Sequence, residues 1–315
     1  KYRKYLGKSR KCLICNNDPL GKKRVIWAKD KYFKAIKCQT CKLITVDPGL
    51  TPFGLKMYYQ ENMTRRVVQK KKMKERTVQY DLDKQFLEKY IKKGKILDVG
   101  CGGGIFLSKL NKNFKKYGID LDKSSIRFAK KNFKYEFRAE SLENDSFKKN
   151  SFDLIIFRGV IEHLYNPKKI LNRARELLKS KGKLFFCATP NANSFCASLY
   201  REKWNLWHPI QHINLFTVET LHKMCGIKKF DILGFDYPYL GTPYENFAED
   251  FECKYPNLNV KQKFILITCH RRENLGRSLD QICSAINQLS FRYPDINFIF
   301  PVHLNPGIRE VVFDK

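Results

Sequence analysis

KILDVGCGGG, residues 95–104, runs apolar residues and an acid into four glycines interrupted only by Cys101. That pattern is expected where a buried strand ends and the chain turns sharply beside a ligand. Outward from it, apolar runs alternate with segments of helical period. The strand-like runs fall at 95–100, 116–121, 135–139, 152–157 and 183–189. Between the last two, NPKKILNRARELLKSKG reads as a helix with Asn166 as N-cap, Pro167 at the first helical position and Gly182 just past the end. Its apolar stripe is Ile170, Leu171, Ala174, Leu177 and Leu178. Strands alternating with helices predict an α/β fold, a Rossmann-like doubly wound parallel sheet.

In such sheets a ligand sits beyond the carboxyl ends of the strands at the switch point, where residues 98–104 fall. After Gly100 and Gly102, the third glycine of a dinucleotide loop G-x-G-x-x-G is replaced by Ile105, and the GK[ST] ending of a P-loop is missing. The loop is therefore not built to cradle phosphate. The run D-V-G-C-G-G-G resembles the first motif of the class I S-adenosylmethionine-dependent methyltransferases. That resemblance implies a cofactor lined by Asp98, Gly100, Gly102 and Gly104, with the acid accepting from its ammonium group. It also implies that Asp120, ending the second strand, takes the ribose hydroxyls, and that Ala139 and Glu140 lie at the adenine.

Three later stretches resemble successive segments of one branch of these enzymes. They are FDLIIFRGVIEHLYNP (152–167), GKLFFCATPNANSF (182–195) and HPIQHINLFTVETLHKMCGI (208–227). The resemblance covers about residues 55 to 240. Methyl transfer to a hydroxyl or carbon nucleophile needs a base, and Glu162, His163, His208 and His212 are the candidates near the expected pocket. Each histidine reads equally as a structural imidazole, and Glu162 with His163 also reads as a pair of ligands for a divalent ion. Trp204 and Trp207 either wall the acceptor pocket or fill core.

Two C-x-x-C pairs, Cys12/Cys15 and Cys38/Cys41, stand 22 residues apart (38 − 15 − 1) near the front of the chain. Two such knuckles complete a tetrahedral four-sulfur shell, so a structural zinc ribbon is expected. Metal binding there would replace the hydrophobic core that so lysine-rich a stretch cannot build by itself. The other seven cysteines (11 − 4) are scattered singly, as in reduced proteins, which suggests a cytoplasmic setting. A four-cysteine ribbon before this catalytic domain resembles methyltransferases of polysaccharide and deoxysugar pathways.

From about residue 250 the sequence changes character. FILIT, an apolar stripe of Leu279, Ile282, Ile286, Leu289 and Tyr293, and INFIF read as a β-α-β fragment. The strings T-x-H-R-R-E-N-x-G and P-V-H-L-N-P-x-x-R-E resemble the start of the second domain of non-hydrolysing UDP-N-acetylglucosamine 2-epimerases. By that resemblance His270, with Arg271 and Arg272, would lie at a nucleotide-sugar site. Only about 60 residues carry the likeness, so no epimerase activity is expected of them. A lone β-α-β piece leaves strand edges and an apolar face to be covered by a docking partner or a missing chain.

Three segments are expected: a zinc ribbon at 1–54, a methyltransferase domain at 55–245 and the epimerase-like piece at 246–315. No apolar run approaches the roughly 18 residues of a membrane span. Net charge is 61 − 31 = +30, and residues 1–74 hold 21 Lys/Arg against 4 Asp/Glu. Such a front suits RNA as well as it suits a lysine-decorated solvated surface. The leading expectation is methylation of a sugar, nucleotide sugar or glycan intermediate. The alternatives are an RNA methyltransferase gripping phosphates with the basic ribbon, and an inert fusion that only binds S-adenosylmethionine.

Overall fold

The structure is a computed structural model and describes residues 2–17, 23–28, 31–63, 70–226, 229–239, 263–267 and 277–300. His270, Arg271 and Arg272 lie outside the described residues. The chain divides into two units, residues 1–245 and 246–315.

The first unit opens with a 3-10 turn at Tyr2–Tyr5 and three strands, β1 (Lys23–Ala28), β2 (Lys34–Cys38) and β3 (Ile44–Val46). Helices α1 (Pro52–Met63) and α2 (Lys70–Glu88) lead into β4 (Gly94–Val99), whose end is the glycine loop. There follow α3 (Ile105–Lys109), β5 (Phe114–Ile119), α4 (Lys123–Asn132), β6 (Glu136–Arg138) and β7 (Phe152–Arg158). A 3-10 turn at Ile161–His163, α5 (Pro167–Leu177), β8 (Leu178–Cys187), α6 (Phe195–Tyr200), β9 (Asn214–Leu215) and α7 (Val218–Cys225) complete it.

β4 to β8 form a five-stranded parallel sheet in the order β6-β5-β4-β7-β8. The order reverses direction between β4 and β7, which puts the switch point where the glycine loop leaves β4. Because side chains alternate across a strand, Ile96 and Leu97 bury on opposite faces. Ile96, Leu154 and Ile156 pack with Phe106 and Leu107 of α3 and Ile126 and Ala129 of α4. Leu97, Val99, Ile155 and Phe157 pack with Ile170, Leu171, Ala174 and Leu177 of α5. Both faces are therefore covered, as a doubly wound sheet requires.

α5 starts as its sequence predicts, with Asn166 Oδ1 accepting from Lys169 N at 3.2 Å and Pro167 in the first turn. It stops at Leu177, earlier than Gly182 suggests. Leu178 already has extended dihedrals and pairs with Phe152, and the ladder resumes only at Leu154 with Lys183. Residues 179–182 are an excursion within β8, and Gly182 serves it: a Cβ there would lie 2.9 Å from Lys179 O.

β1, β2 and β3 form an antiparallel sheet whose fourth strand is β9, so this sheet draws strands from both sides of residue 54. Ile44 faces Leu215 and Thr45 faces Asn214, and Val46 N donates to Ile213 O at 2.9 Å. Cys12, Cys38, Cys41 and Leu43 belong to the same hydrophobic cluster as Leu171 of α5 and Met224 of α7. The cysteine-bearing segment thus shares a core with the parallel sheet and its helices.

In the second unit β10 (Phe264–Leu266) and β11 (Asn297–Ile299) pair in parallel around α8 (Arg277–Arg292). Leu279 and Cys283 are buried, but Leu289, Tyr293 and, at 87 % exposure, Phe291 are not. The expected stripe is covered only in part, because a 16-residue helix runs about 24 Å while three-residue strands span about 10 Å.

Candidate active site

At the end of β4 the loop turns through Gly100 and Gly102, both left-handed at φ 75° and 52°. A side chain at residue 100 would strike Val160 Cγ2 at 2.5 Å, whereas a Cβ at residue 102 meets nothing within 4 Å. Gly102 therefore faces open space in which a ligand can approach the backbone. Gly104 backs onto the Phe137 ring, 2.7 Å from where a Cβ would stand, so it serves the packing of the loop on β6.

Asp98 is 2 % exposed, and its Oδ1 has no hydrogen-bond partner among the described residues. Burial, reinforced by the charge of Asp120 and opposed by the Arg158 guanidinium, pushes its carboxyl up to about 8. A buried, unsatisfied carboxylate oxygen fits a ligand that brings a cationic donor. Asp120 joins the loop to the end of β5: Oδ2 accepts from Gly102 N and Oδ1 from Asp122 N, each at 2.8 Å. Each oxygen keeps a second lone pair for a ligand hydroxyl. Burial raises this carboxyl above its ordinary range. Ala139 and Glu140 follow β6, and Glu140 Oε1 is buried without a hydrogen bond among the described residues. Arg138 lies 3.7 Å from it, within reach of charge but too far for a hydrogen bond.

Arg158, Asp83 and Tyr239 form a network that sequence reading missed. Arg158 ends β7, donates through Nε to Asp83 Oδ2 of α2 at 2.8 Å and stacks over the Tyr80 ring. Tyr239 donates to the other Asp83 oxygen at 2.6 Å. The available signal was an arginine closing the run FDLIIF, a charge where a buried strand should simply end.

The turn after β7 presents Glu162 and His163. Glu162 is 1 % exposed, accepts from Thr189 Oγ1 at 3.1 Å and is pushed up to about 8 by burial, against Thr189 and Arg158. His163 Nδ1 donates to Gln211 O at 2.9 Å, and His212 Nδ1 donates to Leu206 O. Carbonyl acceptors on both Nδ1 atoms assign the hydrogen there and leave Nε2 as the basic nitrogen. His163 Nε2 is 3.7 Å from Glu162 Oε1, and the two imidazole rings are 4.9 Å apart. A carboxylate oxygen of Glu162 and one ring nitrogen of each histidine lie within 4.8 Å of one another, close enough to handle one proton or one cation together. The structure thus brings together Glu162, His163 and His212, which are 50 residues apart in sequence (212 − 162).

Tyr59 of α1 meets the His163 ring edge to face, and Gln211 Nε2 donates to Tyr58 OH. His208 is exposed, its ring 5.6 Å from that of His212. Trp204 and Trp207 are fully buried against Trp27 of β1, with centroids 6.1 and 5.7 Å from it, so they fill core.

The four ribbon thiols also converge. Cys12 and Cys41 Sγ are 3.3 Å apart, Cys15 and Cys38 Sγ 3.6 Å, and all four lie within 4.8 Å of one another. Each knuckle closes through its own turn, Asn16 N to Cys12 O at 2.9 Å and Lys42 N to Cys38 O at 3.0 Å. Burial opposes ionisation of Cys38, but N–H groups of Cys41 and Thr40 outweigh it and draw the thiol down to about 7.

A family model described as a methyltransferase domain matches residues 65–232, just over half of the chain. The chain belongs to this methyltransferase family. The matched residues include the whole five-stranded parallel sheet and its glycine loop, and the methyltransferase fold supports use of S-adenosylmethionine. Among solved structures, the methyltransferase is similar to a SAM-dependent methyltransferase of Methanosarcina mazei, at 21 % identity and TM-score 0.42 over 51 % of this chain and 91 % of that one. A SAM-dependent methyltransferase of Thermotoga maritima matches at 22 % identity and TM-score 0.41 over 49 % and 72 %.

A second family model, UDP-N-acetylglucosamine 2-epimerase, matches residues 242–315. The segment is 53 % identical over 58 residues to the UDP-N-acetylglucosamine 2-epimerase of Salmonella borreze, covering 18 % of this chain and 15 % of that protein. The Escherichia coli K12 epimerase matches at 38 % over 68 residues, 22 % of this chain and 18 % of that protein. The methyltransferase thus spans less than a fifth of the length of these curated relatives. Among the described residues no helix is long and apolar enough to cross a membrane.

Proposed function

We propose that this methyltransferase methylates a sugar, nucleotide sugar or glycan intermediate in surface polysaccharide biosynthesis. The observation that carries the substrate class is the segment 53 % identical to a UDP-N-acetylglucosamine 2-epimerase in the same chain. S-adenosylmethionine, when bound, supplies a sulfonium methyl group open to in-line displacement. Asp98 holds the ammonium, Asp120 the ribose hydroxyls, Gly100, Gly102 and Gly104 shape the loop, and Ala139 with Glu140 border the adenine. The orphaned Asp98 oxygen and the open face of Gly102 support that fit.

On the acceptor side His163 takes the proton of the nucleophile at Nε2, while its Nδ1–H stays on Gln211 O. Glu162, 3.7 Å away and ionised above about pH 8, stabilises the imidazolium there, and the His212 ring lies beside it. Cys12, Cys15, Cys38 and Cys41 hold a structural zinc ion, for which four converging thiols with no water position are the natural donor set.

Incubating the full chain with methyl-labelled S-adenosylmethionine and a panel of nucleotide sugars, alongside cell extract, tests the substrate class. Label in the nucleotide-sugar or glycan fraction is the expected result. Label confined to a nuclease-sensitive fraction would overturn it in favour of RNA.

A further inference from the structure

The ribbon knuckle Cys38–Cys41 is the turn that joins β2 to β3, and β3 begins three residues beyond Cys41. β3 is hydrogen-bonded to β9, and Val46 N binds Ile213 O, the residue after His212. Asn214, on β9, donates through Nδ2 to Leu164 O at 2.7 Å, the residue after His163. The geometry of one sulfur knuckle is thereby passed, through two hydrogen-bonded steps, to the neighbours of both histidines.

A second route starts from β1. Trp27 packs against Trp204 and Trp207, and between these stands Leu206, whose carbonyl accepts the Nδ1–H of His212. Residues 204–215 are thus held by the ribbon at both ends, at Trp204/Trp207 by β1 and at Asn214/Leu215 by β3. The same stretch supplies Gln211 O, the acceptor that fixes the His163 tautomer.

From this connectivity we propose that the four-cysteine ribbon positions the acceptor-side histidines, so that its metal governs turnover without governing cofactor binding. Trp27 is the positioning residue on the ribbon side. The Asp98–Gly104 loop meets the ribbon through the apolar cluster that includes Val99, but its backbone is held by β5 and its end, with Gly100 N and Cys101 N on Ile119 O and Gly102 N on Asp120. The inference rests on the acceptor role proposed for His163 and His212 and on zinc at the cysteines.

The chain itself carries the reporter. Its three tryptophans are Trp27, Trp204 and Trp207, so intrinsic tryptophan fluorescence arises from this junction alone. In a Trp27→Phe variant of the full chain, emission comes only from the catalytic-fold side. The experiment loads that variant and the parent chain with Zn²⁺, removes the ion with a chelator, and follows Trp204/Trp207 emission in the variant and S-adenosylmethionine affinity by calorimetry and methyl transfer in the parent.

The expected result is a red shift on metal removal that reverses on re-addition of Zn²⁺. Turnover should fall on the order of a hundredfold, the cost of about 1 Å of misplacement. Cofactor affinity should stay within about twofold, less than 0.5 kcal/mol. Unchanged emission after full metal removal overturns the proposal, as do failure to take up zinc and loss of cofactor affinity in step with emission. Trp27→Ala, which leaves the cysteines intact, should give the same red shift and loss of turnover with its metal retained. A reversible shift without labelling of any sugar acceptor would leave the coupling standing and remove the proposed substrate instead.

Discussion

Arg158 Nε lies 2.8 Å from Asp83 Oδ2 in a largely buried ion pair, tying α2 to the end of the strand beside the glycine loop. Breaking one side of such a pair leaves an uncompensated buried charge. Asp83→Ala should therefore destabilise the fold by about 3 to 5 kcal/mol, measured by urea denaturation. Arg158→Met removes the cation that favours ionised Asp98, so it should weaken S-adenosylmethionine binding as well as stability. Unchanged cofactor affinity in that variant would separate the pair from the site.

Asp98 and Glu162 ionise near 8 when folded but have ordinary values of 3.8 and 4.5. Between those limits the folded chain keeps protons that the unfolded chain has released. Their contribution is therefore fully present below about pH 4 and is lost as pH rises through 8, at up to about 1.4 kcal/mol per pH unit for each group. The melting temperature of the ligand-free protein should fall from pH 6 to pH 8, and Asp98→Asn should flatten that fall. A melting temperature that rises over the same range would contradict these raised values.

The ammonium partner assigned to Asp98 has a direct test. A charge-assisted hydrogen bond contributes about 1.5 to 3 kcal/mol, so Asp98→Asn should weaken S-adenosylmethionine roughly 10- to 150-fold by calorimetry. A ligand lacking the amino group should bind the variant and the parent alike.

Glu162→Gln keeps the shape of the side chain and its contact with Thr189 but cannot stabilise an imidazolium. Turnover should drop about 10²- to 10⁴-fold, the range for general acid–base groups, with cofactor affinity within about twofold. His163→Ala should do the same, and the two losses should not add if they act as one unit.

Cys38→Ser removes the thiol drawn down to about 7 and with it one ligand of the zinc shell. Metal analysis should fall from one zinc per chain towards none, and thermal stability should fall with it. Full zinc content in the variant would refute the four-sulfur assignment.

The parallel sheet was legible because its signals are local: β4 announces itself by apolar residues ending in glycines, and α5 by Asn166, Pro167 and a helical stripe. The end of α5 was not, since Gly182 looks like a cap and the ladder from Phe152 captures Leu178 first. In the candidate site, Glu162, His163 and His212 were named from motifs, and their convergence follows from the turn after β7 lying against β9, where Asn214 Nδ2 donates to Leu164 O. Gln211, Leu206 and Thr189, which orient them, act through carbonyls or a common hydroxyl and leave no mark in a sequence. Trp27 likewise reads as one apolar residue among lysines until the fold brings residue 204 beside it.

The pairing of β3 with β9 also sets a schedule for the nascent chain. Ile44 is made 171 residues before its partner Leu215 (215 − 44). At about 5 to 20 residues per second, the β3 edge waits roughly 9 to 34 seconds for the strand that closes it. An open strand edge is a template for wrong pairing with other chains. Conditions that slow elongation between residues 44 and 215, or that starve the ribbon of metal during synthesis, should therefore send more of this chain into aggregates, while the same treatments applied after release should not.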